Sequence, residues 1–272
     1  MPEATPADAP RATAGSGIVQ VLDASKTYRT QSGKEVYALE PTRLDIAEGE
    51  FVSVVGPSGC GKTTLLNMMA GLLASTSGEI RFNGTRLVGP SREIGIVFQR
   101  PVLLPWRRIL DNVMLPVEVM RLRPRADYDT RARDLLKMVG LDGFEAAYPQ
   151  ELSGGMQQRA AIARALVYDS KLLLMDEPFA ALDALTREEM NMELLRIWGL
   201  TGKAIVFVTH NIPEAVLLSD RIVVMTPRPD KVREVIEVDL PRPRSLSLMG
   251  DRRFGDLADH IRSLFKTPAK AN

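Results

Sequence analysis

The sequence predicts an α/β fold around a mostly parallel sheet, and three observations predict it. Five short apolar runs are bounded by turn residues: FVSVVG from Phe51, IGIVF from Ile94, KLLLMD from Lys171, AIVFVT from Ala204 and RIVVM from Arg221. Several are nearly continuous in Val, Ile and Leu rather than alternating, the pattern of strands covered on both faces. Helix-compatible stretches at residues 62–73, 156–168 and 186–200 fall among them. That alternation is what right-handed crossovers build into a parallel sheet.

The flanking segments read differently. Residues 18–24, 35–44 and 79–82 look like strands joined by tight turns, Asn83–Gly84 among them, and predict a small N-terminal antiparallel sheet. Residues 100–149 hold no strand-like run and predict a mostly helical insertion in the core. Residues 227–243 are rich in Arg and Pro with interleaved acids, and read as a solvated connecting segment in preference to a binding patch. A last helix at 252–266 carries Phe254, Leu257, Ile261, Leu264 and Phe265 on one face. Such a stripe more often packs on its own domain than on a partner.

Composition limits the class. The 272 residues suffice for one large domain, and a hydrophobic share of 45% with 25% charged residues is that of an ordinary globular protein. A formal net charge of +1 argues against a nucleic-acid partner. The single cysteine, Cys60, excludes an internal disulfide framework and a cysteine metal cluster. No run approaches the ~18 apolar residues of a membrane-spanning helix. Residues 1–17, rich in Ala and Pro, lack the order of a secretion signal and read as a disordered tail, so a cytoplasmic protein is expected.

Chemistry enters at Gly56–Pro57–Ser58–Gly59–Cys60–Gly61–Lys62–Thr63, which fits G-x-x-x-x-G-K-[ST] in full. The motif follows an apolar strand and opens a helix, the context it requires. Its glycines let backbone N–H groups wrap a phosphate, Lys62 adds a positive charge, and the helix N-terminus favours the same anion. Thr63 offers a hydroxyl to Mg²⁺, and Thr64 follows it as a further nucleotide contact. Cys60 occupies a variable position close to the nucleotide. This loop alone says only "nucleoside triphosphate", because kinases, GTPases and motor ATPases share it.

The run Leu172–Leu173–Leu174–Met175 ends in Asp176 and Glu177. Ligands in open α/β sheets sit beyond the carboxyl ends of the strands, so both acids fall near the phosphates. Asp176 is suited to hold Mg²⁺ and Glu177 to orient or deprotonate the attacking water. A helix cap or surface charge is the blander reading of either acid, and Pro178 does favour a turn there.

Upstream, Leu152–Ser153–Gly154–Gly155–Met156–Gln157–Gln158–Arg159 opens a helix rich in alanine. A hydroxyl and free N–H groups at that N-terminus make a second anion site. Here the sequence resembles the signature of the ATP-binding-cassette family, and the resemblance covers roughly residues 18–239. It implies a P-loop ATPase core, residues 18–240, with an N-terminal antiparallel β subdomain, a helical signature subdomain at about 100–157 and a helical extension at 241–272. Subunits of that family pair head to tail, as a homodimer or with a paralogue, which implies that Ser153, Gly154 and Gly155 contact ATP in the partner's site. By the same resemblance Gln99 senses Mg²⁺ and water, His210 contacts the γ-phosphate, Asp183 crosses the dimer interface and Tyr28 stacks on adenine. Asn211 after His210, where an acid is common, and Ala180, where Gly or Ser is usual, depart from the pattern without removing a group the chemistry needs.

The stretch RPVLLPWRRILDNVMLPVEV after Gln99 combines apolar side chains with arginines in a region expected at the surface. In the resembled family a transmembrane subunit docks there, which implicates Val102, Leu103, Leu104, Trp106 and Arg107. LLPWR, DNV and DLPRPRS are similar to the nitrate, sulfonate and taurine importer group and its pyrimidine-precursor relatives. The implied protein is an ATP-hydrolysing motor on the cytoplasmic face of the inner membrane, docked on permease subunits and served indirectly by a solute-binding protein. DNA-repair and translation cassettes, a non-catalytic regulator and a separate-subunit exporter are the alternatives, and the intact Lys62, Asp176, Glu177 and His210 speak against the regulator.

Overall fold

A computed structural model describes residues 17–29, 33, 35–226 and 231–266; the expected tail at 1–17 lies, save Gly17, outside them. The chain opens with β1 (Val19–Arg29), β2 (Glu35–Ile46) and β3 (Phe51–Val55), then α1 (Lys62–Met69), β4 (Ser77–Phe82), β5 (Thr85–Arg86) and β6 (Ile94–Val97). A helical region follows: α2 (Ile109–Val113), α3 (Leu115–Met120), α4 (Arg125–Met138) and α5 (Gly154–Leu166). The remainder is β7 (Leu172–Asp176), α6 (Ala184–Thr201), β8 (Ala204–Thr209), α7 (Ile212–Leu218), β9 (Arg221–Thr226), β10 (Lys231–Glu237) and α8 (Arg252–Lys266).

Six strands form the central sheet in the order β10-β9-β3-β8-β7-β6, and four form an antiparallel sheet in the order β2-β1-β4-β5. Pairings among β9, β3, β8, β7 and β6 are parallel, and β10 runs antiparallel at one edge. Successive side chains of a strand point to opposite faces, and the core divides accordingly. Val52, Val54, Val206 and Val208 pack with Leu65, Leu66 and the N-terminal sheet. Phe51, Val55, Ile205 and Phe207 pack with α2 and α4 to α8. Both faces being covered explains the unbroken apolar runs of β3 and β8.

Two expectations are corrected. The first helix stops at Met69 rather than reaching residue 73: Gly71 has φ +70°, and a Cβ there would lie 2.2 Å from Gly89 O, so the chain must turn where only glycine fits. The segment 227–243 is no mere solvated connection. Residues 231–237 form β10, whose register shifts between Val232 and Glu234, so a bulge breaks the period-two pattern that would have revealed it. Beyond it Arg244 is buried, and Arg242 pairs with Asp220 and lies over the Trp198 ring, 4.0 Å from its centroid. The terminal helix does pack inward, burying Phe254, Ala258 and Ile261.

Candidate active site

Parallel strands aim their carboxyl ends at one edge, and the sequence-predicted residues gather there. β3 leads into the loop at 56–61, β7 ends on Asp176, and Thr209 at the end of β8 sits beside Val55 in register. Gly61 has φ +85°, and a Cβ on it would lie 2.5 Å from Ala38 O, so the loop's path to α1 requires glycine. A cavity of about 170 Å³ opens on the loop, lined by Ala38, Gly59, Gly61, Lys62, Thr63 and Thr64. Pro57 and Ser58 are exposed beside it. Cys60 is buried in the core, and a Cβ on Gly56 would meet its Sγ at 2.5 Å. Any part Cys60 takes in binding is therefore through its backbone.

Lys62 is folded back on the loop, its Nζ donating to Gly56 O at 2.8 Å and Pro57 O at 3.0 Å. The same Nζ lies 3.8 Å from Glu177 Oε1. The other carboxylate oxygen, Oε2, lies 3.1 Å from His210 Nδ1. Glu177 thus stands between a cation and an imidazole, and it holds that place at φ 43°, a left-handed conformation rare for a residue with a side chain. Its N–H donates to Val208 O at 2.9 Å, which fixes the turn against β8.

Thr63 Oγ1 donates to Asp176 Oδ1 at 3.3 Å, so a hydroxyl and a carboxylate meet at one spot. Burial, and then the neighbouring Glu177 charge, push the Asp176 carboxyl above its usual range, against the opposing pull of the Thr63 hydrogen bond and Lys62. A bound divalent cation relieves that condition, and oxygen donors of this kind suit Mg²⁺. Gln99 lies exposed just past β6, whose Val97 is in register with Met175, one residue before Asp176.

Other predicted residues stand apart from this cluster. Ser153 caps α5 by accepting from Met156 N at 3.3 Å, and Asp183 caps α6 by accepting from Thr186 N at 3.0 Å. The Thr186 backbone and hydroxyl hold the Asp183 carboxyl below its ordinary range. Gly154 is open, and a Cβ on Gly155 would meet Leu182 at 3.2 Å, so the start of α5 packs beside the approach to α6. Tyr28 is half-exposed on β1 with Lys26 Nζ 5.4 Å from its ring centroid.

Sequence reasoning missed several supporting residues. Asn112 is fully buried; its Oδ1 accepts from Leu104 N and its Nδ2 donates to the carbonyls of Leu104, Arg107 and Arg108. Arg164 donates to Val102 O and Pro101 O. Together they pin residues 101–108, from which Val102 and Trp106 stand out at 59% and 70% exposure, while Leu103 turns in to the core. The pattern D-N-V carried a hint at Asn112; nothing local distinguished Arg164.

A phosphate loop, a hydroxyl–carboxylate pair for a metal ion and a glutamate–histidine pair on one sheet edge define a nucleoside-triphosphate hydrolase. The comparisons narrow the class. The model of the ABC transporter family matches residues 39–180. A taurine import ATP-binding protein of Rhizobium johnstonii is 43% identical over 254 residues, 91% of this chain and 96% of that protein. An aliphatic sulfonates import ATP-binding protein of Bacillus cereus is 44% identical over 224 residues, 82% and 88% of the two chains. The dimeric ATP-binding cassette MJ0796, in a post-hydrolysis state with ADP and Pi, superposes with a TM-score of 0.73 at 35% identity, over 82% of this chain and all of that one. The chain belongs to the ABC transporter family and is one of its ATP-binding, ATP-hydrolysing cassettes.

Proposed function

We propose that the chain powers import of a small solute of the sulfonate, taurine or related class, working as a head-to-tail dimer on the cytoplasmic face of the membrane. The observation that carries this reading is the 43% identity to a taurine import ATP-binding protein, sustained along 91% of the chain. Among the described residues no helix is long and apolar enough to cross a membrane, and separate permease subunits are the proposed membrane part. The exposed Val102 and Trp106, pinned from below by Asn112 and Arg164, are the surface proposed to receive them. A solute-binding protein delivers the substrate to the permease and does not touch this chain. The nitrate and pyrimidine-precursor branches remain within the same proposal, because substrate choice lies in the other subunits.

ATP binds at residues 56–64, with Tyr28 against the adenine. Mg²⁺ is held by Thr63 and Asp176, with Gln99 nearby, and supplies charge neutralisation to the phosphate oxygens. Glu177 orients the attacking water and takes its proton, and His210 steadies the Glu177 carboxylate through the 3.1 Å contact. Ser153, Gly154 and Asp183 are exposed and Gly155 is partly so, available to a second copy. Contacts made only in the closed dimer give ATP its differential affinity for that state, and this difference is what drives closure. Residues 18–240 are the ATPase domain, with the helical subdomain at about 100–157 and a C-terminal extension at 241–272.

The test is co-purification of the tagged chain from its own cell membrane, with Trp106→Glu alongside. A transmembrane permease retained by the wild type and lost by the variant supports transport. Recovery of soluble partners only, with turnover intact, would leave an ATPase that does not energise import.

A further inference from the structure

Glu214 is the one acid among the described residues that is buried below a tenth of its surface, at 4% exposure, and the hydrolysis scheme leaves it unused. It sits in α7, one turn past His210, where its neighbours Ala215 to Leu218 are all apolar and buried. A carboxyl in such surroundings costs far more to bury than a hydrocarbon side chain, so its hydrogen bonds indicate what it does there.

Those bonds converge on the turn that carries His210. Thr209 Oγ1 donates to Glu214 Oε2 and itself accepts from Asn211 N at 3.0 Å. Asn211 Oδ1 accepts from Glu214 N at 3.1 Å. His210 lies inside this ring of three residues, so the turn's shape is set from beneath by the Glu214 carboxyl. Glu214 also lines the small cavity, about 10 Å³, shared with Glu177, His210 and Arg187.

A second tie runs to α6. Asn191 and Arg187 face the carboxyl from that helix. Glu214 Oε1 and Asn191 Oδ1 are both buried without a partner as placed; a proton on the carboxyl donates to that amide oxygen, and turning the amide over instead presents its N–H₂ to Oε1. Arg187 in turn donates to Phe179 O at 3.3 Å and Leu182 O at 2.7 Å, holding the loop between Glu177 and Asp183.

We propose that Glu214 is a positioning residue for ATP hydrolysis: it sets the Thr209–Asn211 turn so that His210 meets Glu177, and it ties that turn to the start of α6. The inference rests on the reading of Glu177 and His210 as the working pair. It does not require Glu214 to touch ATP.

A double-mutant cycle on the full chain tests it, reading steady-state ATP turnover for wild type, Glu214→Ala, His210→Ala and the pair together. Glu214→Ala should lower kcat about 10- to 100-fold with the KM for ATP changed less than about 3-fold, the signature of lost alignment rather than lost binding. Glu214→Gln, whose amide oxygen still accepts from Thr209, should restore most of kcat. In the His210→Ala background Glu214→Ala should cost less than about 2-fold more, because residues that act as a unit are not additive. An equal loss in both backgrounds, or a loss confined to KM, overturns the positioning role while leaving His210 in place. Wild-type turnover by His210→Ala would instead sink the catalytic pair and the inference with it. Should Glu214→Ala fold poorly, Thr209→Val removes the same link with little change of volume, and the same outcomes decide.

Discussion

Glu177 offers one carboxylate oxygen to each side: Oε2 lies 3.1 Å from His210 Nδ1, and Oε1 lies 3.8 Å from Lys62 Nζ. Because Lys62 also donates to Gly56 O and Pro57 O, the phosphate loop, the acid after β7 and the histidine after β8 are joined through one carboxylate. Three strand ends therefore behave as one preorganised unit, and catalysis by positioned dipoles and charges depends on such preorganisation.

Removing the charge of the acid separates binding from chemistry. Glu177→Gln should slow phosphate release about 10²- to 10⁴-fold, the usual worth of a general base, while ATP binding persists. Size-exclusion chromatography with ATP should then show a nucleotide-trapped dimer. A Gln variant that hydrolyses ATP at the wild-type rate and stays monomeric would count against both the base and the clamp.

The proposed docking surface depends on a residue that never reaches it. Asn112 makes four hydrogen bonds to the backbone of residues 104–108, so Asn112→Ala strands several buried polar groups. Each unsatisfied group costs about 1–3 kcal/mol. Partial melting of this segment, read as faster amide exchange at 101–108, should accompany weaker permease co-purification, with the ATPase activity of the isolated chain changed little. Unaltered exchange at 101–108 would show that Asn112 does not hold the loop.

Arg244 makes an unusual demand on the C-terminal segment. Its Nη1 donates to the carbonyls of Val216, Leu217 and Ser219 at the end of α7, and its Nη2 to those of Val238 and Leu240. A cation at a helix C-terminus satisfies the orphan carbonyls and favours the dipole. Burial lowers its pKa to about 10, which still leaves it charged at neutral pH. Arg244→Met keeps the bulk and abandons the carbonyls, and should cost about 2–4 kcal/mol of stability in denaturant titration. A loss below about 0.5 kcal/mol would mean that water replaces the guanidinium there.

These residues also mark where the sequence stopped being legible. The strands of the central sheet announced themselves because both faces are covered, and the loop at 56–63 because its chemistry fixes residue types at fixed spacing. The strand at 231–237 did not, since Arg233, Glu234 and the bulge between Val232 and Glu234 disguise its alternation. Arg242 and Arg244 read as solvated charges because arginine usually is one. Their partners, Asp220 and the carbonyls of α7, come from elements assembled around them and not from a local pattern. Glu214 was silent for the same reason: its meaning comes from Thr209, Asn191 and Arg187, which the fold brings to one point.

That burial has a consequence for pH. Desolvation, the largest influence, pushes the Glu214 carboxyl above its usual range, while the Thr209 hydrogen bond, the charges of Arg187 and His210 and the Asn191 amide pull it down without cancelling the rise. In the unfolded chain a glutamate releases its proton near pH ~4.3. Between that value and the raised native one, the folded state holds a proton that the unfolded state has lost. Stability rises with pH where the unfolded state binds more protons, so here it must fall. The contribution of Glu214 is fully present below the unfolded pKa, is lost as pH climbs through the native one, and is level beyond it. Glu214→Gln cannot titrate and removes this slope. The difference in unfolding free energy between wild type and Glu214→Gln, followed from pH 4 to 8 by denaturant titration, should therefore move against the wild type as pH rises and then flatten. Two parallel curves would mean that the carboxyl titrates alike in both states. Its burial would then carry no electrostatic cost, and the hydrogen bond from Thr209 with the facing Asn191 amide and Arg187 charge would have to compensate it fully.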